Sequence, residues 1–570
     1  MRNWKLKTVD DALTNKLANE LNVSTHIAKL LILRGVDSFV AAKNFFRPDL
    51  KNVHDPFLMK GMEEAVDRIN RAKSQNERVL LFGDYDVDGT SAVSMMYMFF
   101  EDQNINVSYY IPDRYSEGYG FSKQGIDYAF NHKISLIITL DCGIRAVKQT
   151  AYANNKNIDV IICDHHNVAE DLPNAISILN PKQPDCLYPN KNLSGCGVGF
   201  KFISAYCKNN NINQEEAYKY IDLLALSLIA DIMSLTGENR IYTYYGLKRI
   251  NHNPCVGLEA LINLSSKNNL IKSSDISFGI APLINAAGRM SHASNAVKLL
   301  IESDADNADV YAKILLENNN DRRKVEKEIT NEALEMIDNK RYTSVVSSPN
   351  WHKGVVGIVA SKLLEKYYKP TIVFVEKDGF LTGSARSVRG FNIYEAIKEC
   401  EDLCEKFGGH MYAAGLTIKS ENFELFKIKF ENIVRKKIHP EQKINVIDVD
   451  LEIDLNSIDG RFYRILKQFE PFGPDNLNPI FSTENLNIHG PLRFIGKDQS
   501  HVKLEFNTKS SKINAIGFGI ASKFKSLKKQ KIDLCYTLNE NHWNNKTTCL
   551  LYTSDAADEG LGVDLGGRRI

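Results

Sequence analysis

Three short apolar runs recur in the first third of the chain: VLLFG ending at Asp84, SLIITL ending at Asp141, and DVIIC ending at Asp164. Segments with a helical pattern separate them. Nothing else in the sequence limits the fold as much. Strands buried on both faces read as near-continuous Val, Ile and Leu, and strands separated by helices pair in parallel, because a parallel pair needs a long crossover. Adding NVSYYIPDR (106–114) and AISILNPKQ (175–183) extends the set to five strands. The expected fold class is α/β, with a doubly wound parallel sheet covered by helices. In such sheets the functional crevice lies outside the carboxyl ends of the strands. Here those ends carry GDYDVDGTS, LDCGI and DHH.

In GDYDVDGTS, Asp84, Asp86 and Asp88 alternate. On extended backbone, alternate residues point to one side, so the three carboxylates are expected to converge, with Gly89 closing the turn into a helix. A solvated acidic turn is the alternative. Clustered acids repel one another and are costly to bury unless a cation joins them. Further along, LLALSLIADIMSLTGENR (223–240) reads as one apolar helix whose hydrophobic face is interrupted by Asp231. That acid either faces solvent or meets a cation.

A chain of 570 residues is too long for one core and implies three or four domains. Hydrophobic content of 43% and charged content of 25% are ordinary for a soluble protein, and a net charge of +1 gives no global argument for a polyanionic partner. The ten cysteines form no paired CxxC framework, which suits a reducing compartment. The N-terminus lacks the apolar core of a signal peptide, and no run reaches the ~18 apolar residues of a membrane span. A soluble, cytoplasmic protein without a membrane partner is expected.

DYDVDGTS, LDCGI, DHH and ADIMSL, in this order, resemble the signature motifs of the DHH phosphoesterase superfamily. With PDRYSEGYG, NAAGRMSHA, GSARS and FGGHMYAAG, the chain is similar to the RecJ family of single-strand-specific 5′→3′ DNA exonucleases, from about Met59 to Ile418 and more weakly beyond. The resemblance implies two divalent cations held by Asp86, Asp88, Asp141, His165 and Asp231, with Asp84 and His166 close behind. Carboxylates with one imidazole suit Mn²⁺ or Mg²⁺, and the absence of cysteine from the set argues against structural zinc. His166 is expected to contact the scissile phosphate or assist the leaving group, with a structural histidine as the alternative. Asp164 is expected to orient the histidine pair rather than hold a cation.

Arg114 resembles the position that binds a 5′-terminal phosphate, and Arg289 a phosphate-binding arginine. Ser384 and Arg386, in a GSARS loop, and Gly409 and His410, in a GGH loop, are expected to face phosphates; simple turn chemistry is the alternative. Tyr115 and Tyr119 either stack on bases or pack in the core. Asn319 and Arg322 are candidates for reaching the cleft, and His292 is given little role.

The implied domains are an N-terminal helical cap on the main domain (1–55), a DHH catalytic domain (56–309), a long connecting helix (310–340), a smaller α/β DHH-associated domain (341–440) and a C-terminal OB-like β-barrel (441–548). Lys523, Lys525, Lys528, Lys529 and Lys531 form a basic run on that barrel, either a solvated loop or a strand-tracking surface. The segment from Cys549 to Ile570 does not continue the barrel pattern and reads as translated library adapter, so the native chain is expected to continue past Thr548. The expected activity is two-metal-ion hydrolysis of single-stranded DNA in repair and recombination, by a monomer, with single-strand-binding protein and a RecQ-type helicase as candidate partners. A DHH phosphoesterase acting on short oligoribonucleotides or cyclic dinucleotides is one alternative. A non-catalytic scaffold related to Cdc45 is another.

Overall fold

A computed structural model of the chain describes residues 4–265, 270–509, 512–525, 531–543 and 546–554. It divides into two compact units, one of residues 47–323 with 470–476, the other of residues 1–46, 324–469 and 477–570. No helix among the described residues is long and apolar enough to cross a membrane.

The first unit is built on a five-stranded parallel sheet: β1 (Val79–Gly83), β2 (Val107–Tyr110), β3 (Leu136–Leu140), β4 (Asp159–Cys163) and β5 (Ser177–Leu179), in the order β2-β1-β3-β4-β5. β1 and β3 are buried along their whole length, as strands covered on both faces must be. Successive connections leave β1 in opposite directions, so the switch point falls between β1 and β3. Each motif acid lies one step past its strand with its amide still on the ladder. Asp84 N donates to Leu140 O at 3.4 Å, Asp141 N to Cys163 O at 2.9 Å, and Asp164 N to Leu179 O at 3.0 Å.

Helix α1 (Val87–Asp102) follows β1 directly and packs against α2 (Gly195–Asn209) and α3 (Ile221–Ala230) in the main core of the unit. Two sequence expectations change here. The extended alternation of Asp84, Asp86 and Asp88 does not form: Asp86 caps α1 by accepting Gly89 N at 3.1 Å, and Asp88 sits in its first turn. The helix expected over 223–240 stops at Ala230. Asp231 is its C-cap, Ile232 turns left-handed at φ 59°, and a new helix starts at Gly237. Two elements with orphan backbone groups thus deliver the acids.

α2 is fixed by a buried ion pair. Lys201 Nζ lies 3.1 Å from Glu238 Oε1, with both side chains almost fully buried, and also donates to His54 O at 2.6 Å. Glu238 in turn accepts from Tyr188 Oη at 2.7 Å and His54 N at 3.0 Å. Helix α4 (Ala281–Met290) carries Arg289, and the connecting helix α5 runs Ala305–Glu335, with the boundary between units at Arg323.

In the second unit a five-stranded sheet has the order β9-β10-β8-β7-β6, from β6 (Ser344–Ser348), β7 (Thr371–Lys377), β8 (Phe380–Arg386), β9 (Cys404–His410) and β10 (Ala413–Lys419). Alternate residues of β7 serve two faces. Val373 and Val375 pack with α6 (Val356–Tyr367), and Ile372 and Phe374 pack with α7 (Phe423–Lys437). GSARS and GGH, expected as loops, are strands β8 and β9. Gly383 marks no turn: a Cβ there would meet the Phe374 ring at 2.5 Å.

The N-terminal helices, expected to cap the main domain, belong to this second unit as far as Phe46. Trp4–Leu6 pairs in parallel with Ile447–Val449, Arg34 Nη2 donates to Leu477 O at 2.6 Å, and the Phe45 and Phe469 rings pack edge to face at 5.3 Å. The C-terminal sheet comprises β11 (Leu451–Glu452), β12 (Phe481–Asn487), β13 (Arg493–Ile495), β14 (His501–Asn507), β15 (Lys512–Phe518), β16 (Lys531–Trp543) and β17 (Lys546–Ser554), ordered β11-β12-β16-β17-β15-β14-β13. Cys549 to Ser554 pair with both β15 and β16, so the segment set apart from residue 549 continues the sheet to Ser554. Residues 555–570 lie outside the described residues, as do Lys528, Lys529 and the side chain of Lys523. Lys525 Nζ stands over the Phe494 ring at 5.4 Å.

Removing one partner of a buried ion pair strands the other charge, at a cost of about 3–5 kcal/mol. Lys201→Met is therefore expected to lower the urea midpoint of the protein clearly, by that order of destabilisation. An unchanged midpoint would show that the pair does not anchor α2.

Candidate metal centre

The acids from three strand ends and one helix end converge outside the carboxyl edge of the parallel sheet. Three overlapping groups of ligand atoms lie within 4.8 Å of one another: Asp84, Asp86 and Asp141; Asp88, His165 and Asp231; and Asp141, His165 and His166. The first motif is thereby split, with Asp84 and Asp86 serving one group and Asp88 the other. His165 Nε2 is central, 3.1 Å from Asp141 Oδ1, 3.6 Å from Asp231 Oδ2 and 3.7 Å from Asp88 Oδ2.

Two of the acids are satisfied by the protein. Asp88 accepts from Gly195 N at 2.6 Å and Cys196 N at 2.8 Å at the N-terminus of α2, and from Ser227 Oγ on α3 at 2.6 Å. The amide donors and the positive end of the α2 dipole meet at this carboxylate. Gly195 is required for that approach, since a Cβ would sit 2.5 Å from Asp141 Cβ. The sequence reading missed Gly195, Cys196, Ser194 and Ser227. The first two and Ser194 share one signal, the small-residue run SGCGVG, with Ser194 capping α2; Ser227 had none.

Asp164 takes a different part. Burial alone would raise its carboxyl, yet it stands below the usual range because of a 2.7 Å contact with His166 Nδ1, the His166 charge and the Ile144 amide at 2.9 Å. His165 N and His166 N also donate to its Oδ1. Its oxygens are taken up in holding the histidine turn. Asn180, fully buried and absent from the sequence reading, donates from Nδ2 to His166 O at 2.9 Å.

The remaining acids have fewer donors, the Asp86 carboxylate accepting from Gly89 N alone among the described residues. Burial first, then the charge of neighbouring aspartates, pushes Asp84, Asp141 and Asp231 well above the ordinary carboxylate range and Asp86 above it. Burial likewise lowers His165 to about 4. Asp84 Oδ1 and Asp141 Oδ1 are buried without a hydrogen-bond partner among the described residues. Hard oxygen donors left unpaired around a neutral imidazole fit Mn²⁺ or Mg²⁺, and no cysteine sulfur joins the groups.

Arg114, from the loop after β2, lies with its guanidinium 3.8 Å from the Tyr85 ring centroid; its Nε is buried and has no hydrogen-bond partner among the described residues. Tyr115 Oη donates to Arg289 O, and Tyr119 Oη lies 3.0 Å from His166 Nε2. Neither tyrosine is in the core, at 41% and 57% exposed. His166 is raised: burial opposes its charge, but Asp164 outweighs burial. His292 Nδ1 bonds Ser294 Oγ at 2.8 Å, and Asn319 is buried, accepting from Arg322 Nε at 3.1 Å.

In the second unit, Arg386 Nη1 donates to Ser384 Oγ at 3.1 Å and to Ala385 O at 2.8 Å; burial lowers the guanidinium to about 10. A Cβ on Gly357, in the first turn of α6, would lie 3.1 Å from Ser384 Oγ. The first turn of α6 thus lies beside the Arg386 side chain, whose Nη2 would be 3.2 Å from that Cβ. His410 ends β9 near this arginine, lowered by burial and then by the Arg386 charge; Gly409 adopts φ 142° beside it.

The raised acids bind protons that the unfolded chain has released by about pH 4. Their contribution to stability is full below that pH and is lost as pH rises through the folded values. A cation takes the place of the protons. The rise in denaturation midpoint on adding Mn²⁺ is therefore expected to be larger near pH 8 than near pH 5.5 by scanning fluorimetry. A shift independent of pH would remove these carboxyls from the cation site.

The chain matches the family models described as DHH family, N-terminal domain, over residues 78–228; DHHA1 domain over 339–436; and RecJ OB domain over 449–555. It is 36% identical to the single-stranded-DNA-specific exonuclease RecJ of Bacillus subtilis, across 99% of this chain and 72% of that protein. With RecJ of Haemophilus influenzae it shares 30% identity over 90% of this chain and 93% of the relative. The crystal structure of Thermus thermophilus RecJ with Mn²⁺ superposes with a TM-score of 0.83 at 26% identity, covering 96% of this chain and 78% of that one. The same protein with Mg²⁺ gives 0.77 at 25% identity, over 96% of this chain and 77% of that one. The order of the three matched domains and the identity along nearly the full length agree: the chain belongs to the RecJ family.

Proposed function

We propose that this chain is a divalent-cation-dependent exonuclease that degrades single-stranded DNA from the 5′ end, in repair and recombination. The observation that carries the proposal is the pair of ligand groups sharing one sheet edge, Asp84–Asp86–Asp141 and Asp88–His165–Asp231, in a chain of this family. When bound, divalent cations supply Lewis-acid activation of water and neutralise charge developing on the phosphodiester. The chain supplies the rest. Asp88 and Asp164, fixed by backbone amides, hold the first motif and the histidine turn in register. His166, whose protonated form the Asp164 contact favours, is the proposed donor of a proton from Nε2 toward the leaving oxygen.

Arg114, desolvated on Tyr85 with a donor to spare, is the proposed contact for the 5′-terminal phosphate, and Arg289 for an adjoining one. Ser384, Arg386, Gly409 and His410 are proposed to bind further phosphates. The OB domain supports a long strand over a dinucleotide as substrate, since short substrates need no extended binding surface. The proposal extends to a cytoplasmic monomer working with single-strand-binding protein and a RecQ-type helicase.

Among the described residues Asp231, unlike Asp88, accepts no hydrogen bond from α2, so Asp231→Asn tests the centre without loosening α2. Mn²⁺-dependent release of nucleotides from end-labelled single strands is expected to fall by about a thousandfold, on the scale of several kcal/mol for a lost cation ligand. Undiminished turnover would refute the centre. Arg114→Ala is expected to cost about 10–100-fold in kcat/KM on 5′-phosphorylated strands, with a smaller loss on 5′-hydroxyl strands. Equal losses on both would remove the 5′-phosphate contact from Arg114.

A further inference from the structure

Arg114, Tyr115 and Tyr119 stand on one turn, Asp113 to Gly120, and each reaches a different element of the centre: the Tyr85 ring, the Arg289 carbonyl and His166. The turn forms no helix or strand of its own. Gly118 and Gly120, at φ 87° and 85°, bracket Tyr119 and supply the left-handed backbone that presents it. Asp113 closes the first half by accepting Tyr115 N at 3.1 Å and Ser116 N at 2.8 Å.

What ties the turn to the body of the unit is Glu117. Its Oε1 accepts from Asp113 N at 2.8 Å and from Tyr110 Oη at 3.0 Å, and its Oε2 accepts from Ser122 Oγ at 2.6 Å. These donors come from three places. Tyr110 ends β2 and stacks on Phe82 at 5.5 Å; Asp113 opens the turn; Ser122 caps the helix Lys123–Asn131 by accepting Gly125 N at 3.0 Å. An ionised carboxylate is acceptor-only, so it can gather all three at once. A carboxamide cannot, because half of it is a donor.

We propose that Glu117 is a positioning residue for recognition of the 5′ end: its carboxylate knots strand, turn and helix cap together and so fixes Arg114 and Tyr119 over the centre. Its carboxylate bonds Asp113, Tyr110 and Ser122, none of them in a ligand group. This rests on the reading of Arg114 given above, and deepens it.

Glu117→Gln keeps the shape and turns an NH₂ onto donors. Kinetics on 5′-phosphorylated and 5′-hydroxyl single strands, run beside Arg114→Ala and the double variant, test the idea, with the Mn²⁺-induced rise in denaturation midpoint reporting the integrity of the centre. Glu117→Gln is expected to lower kcat/KM about tenfold on phosphorylated ends, with a smaller loss on hydroxyl ends, as a misplaced charge-assisted contact would. The double variant should lose little beyond Arg114→Ala, because both act through one contact. Glu117→Asp, which keeps the charge on a shorter stem, should recover part of the preference. An equal loss on both ends, a fully additive double variant or a lost Mn²⁺ response would overturn the proposal in favour of a purely structural role. Were Arg114→Ala also blind to the phosphate, the reading of Arg114 itself would fall, and the proposal with it.

Discussion

Six carboxylates at one edge of one sheet are the constraint on which the first unit depends. Bringing like charges together inside a protein is unfavourable unless each is answered by a donor, a proton or a cation. The chain answers two of them itself. Asp88 takes two amides from the N-terminus of α2 and a hydroxyl from α3, and Asp164 takes the amides of Ile144, His165 and His166. Asp84, Asp86, Asp141 and Asp231 are left above their ordinary range. The division is chemically useful. Asp88 and Asp164, each held by several donors, build the frame, and the raised acids are the ones a bound cation would favour in ionised form.

The two histidines follow the same division. His165 is pulled toward neutrality by burial, the form in which an imidazole nitrogen can donate to a metal. His166, one residue on, is raised because Asp164 holds its Nδ1 at 2.7 Å. Adjacent residues on one turn thus favour opposite protonation states. The cause is burial for His165 and the Asp164 contact for His166, neither of which spacing along the chain encodes.

That limit recurs across the molecule. The parallel sheet, its five strands and the clustering of acids at its carboxyl edge were legible, because buried strands write themselves as apolar runs and the acids follow within one residue. The path between the acids was not. Extended alternation and the strand-to-helix turn both bring Asp84, Asp86 and Asp88 together, and only the capping bond from Gly89 to Asp86 separates them. GSARS and GGH read as loops because glycine signals turns, whereas Gly383 is small to admit the Phe374 ring. The N-terminal helices joined the second unit through a strand pair hundreds of residues apart in sequence, a contact no local pattern announces. The part of SGCGVG was hidden for a related reason. A helix N-terminus becomes an anion site only when the fold brings an acid to it.

Two residues beside the centre hold backbone that their side chains disfavour. Asp141 lies at φ 62° and Ile232 at φ 59°. For aspartate the left-handed region is tolerable; for a β-branched residue it is an outlier, costing on the order of 1–2 kcal/mol. Each lies at or next to a residue whose carboxylate enters a ligand group, and each falls where a regular element ends abruptly: Asp141 after β3, Ile232 after Asp231 has capped α3. Continuing either element would carry the carboxylate onward along the strand or around the helix, away from His165. The surrounding ladder bonds, Asp141 N to Cys163 O and Met233 N to Leu228 O, hold the turns in place against this cost. The strain is therefore stored at the two points where backbone direction decides whether Asp141 and Asp231 meet the same imidazole, which is where a preorganised cation site needs it.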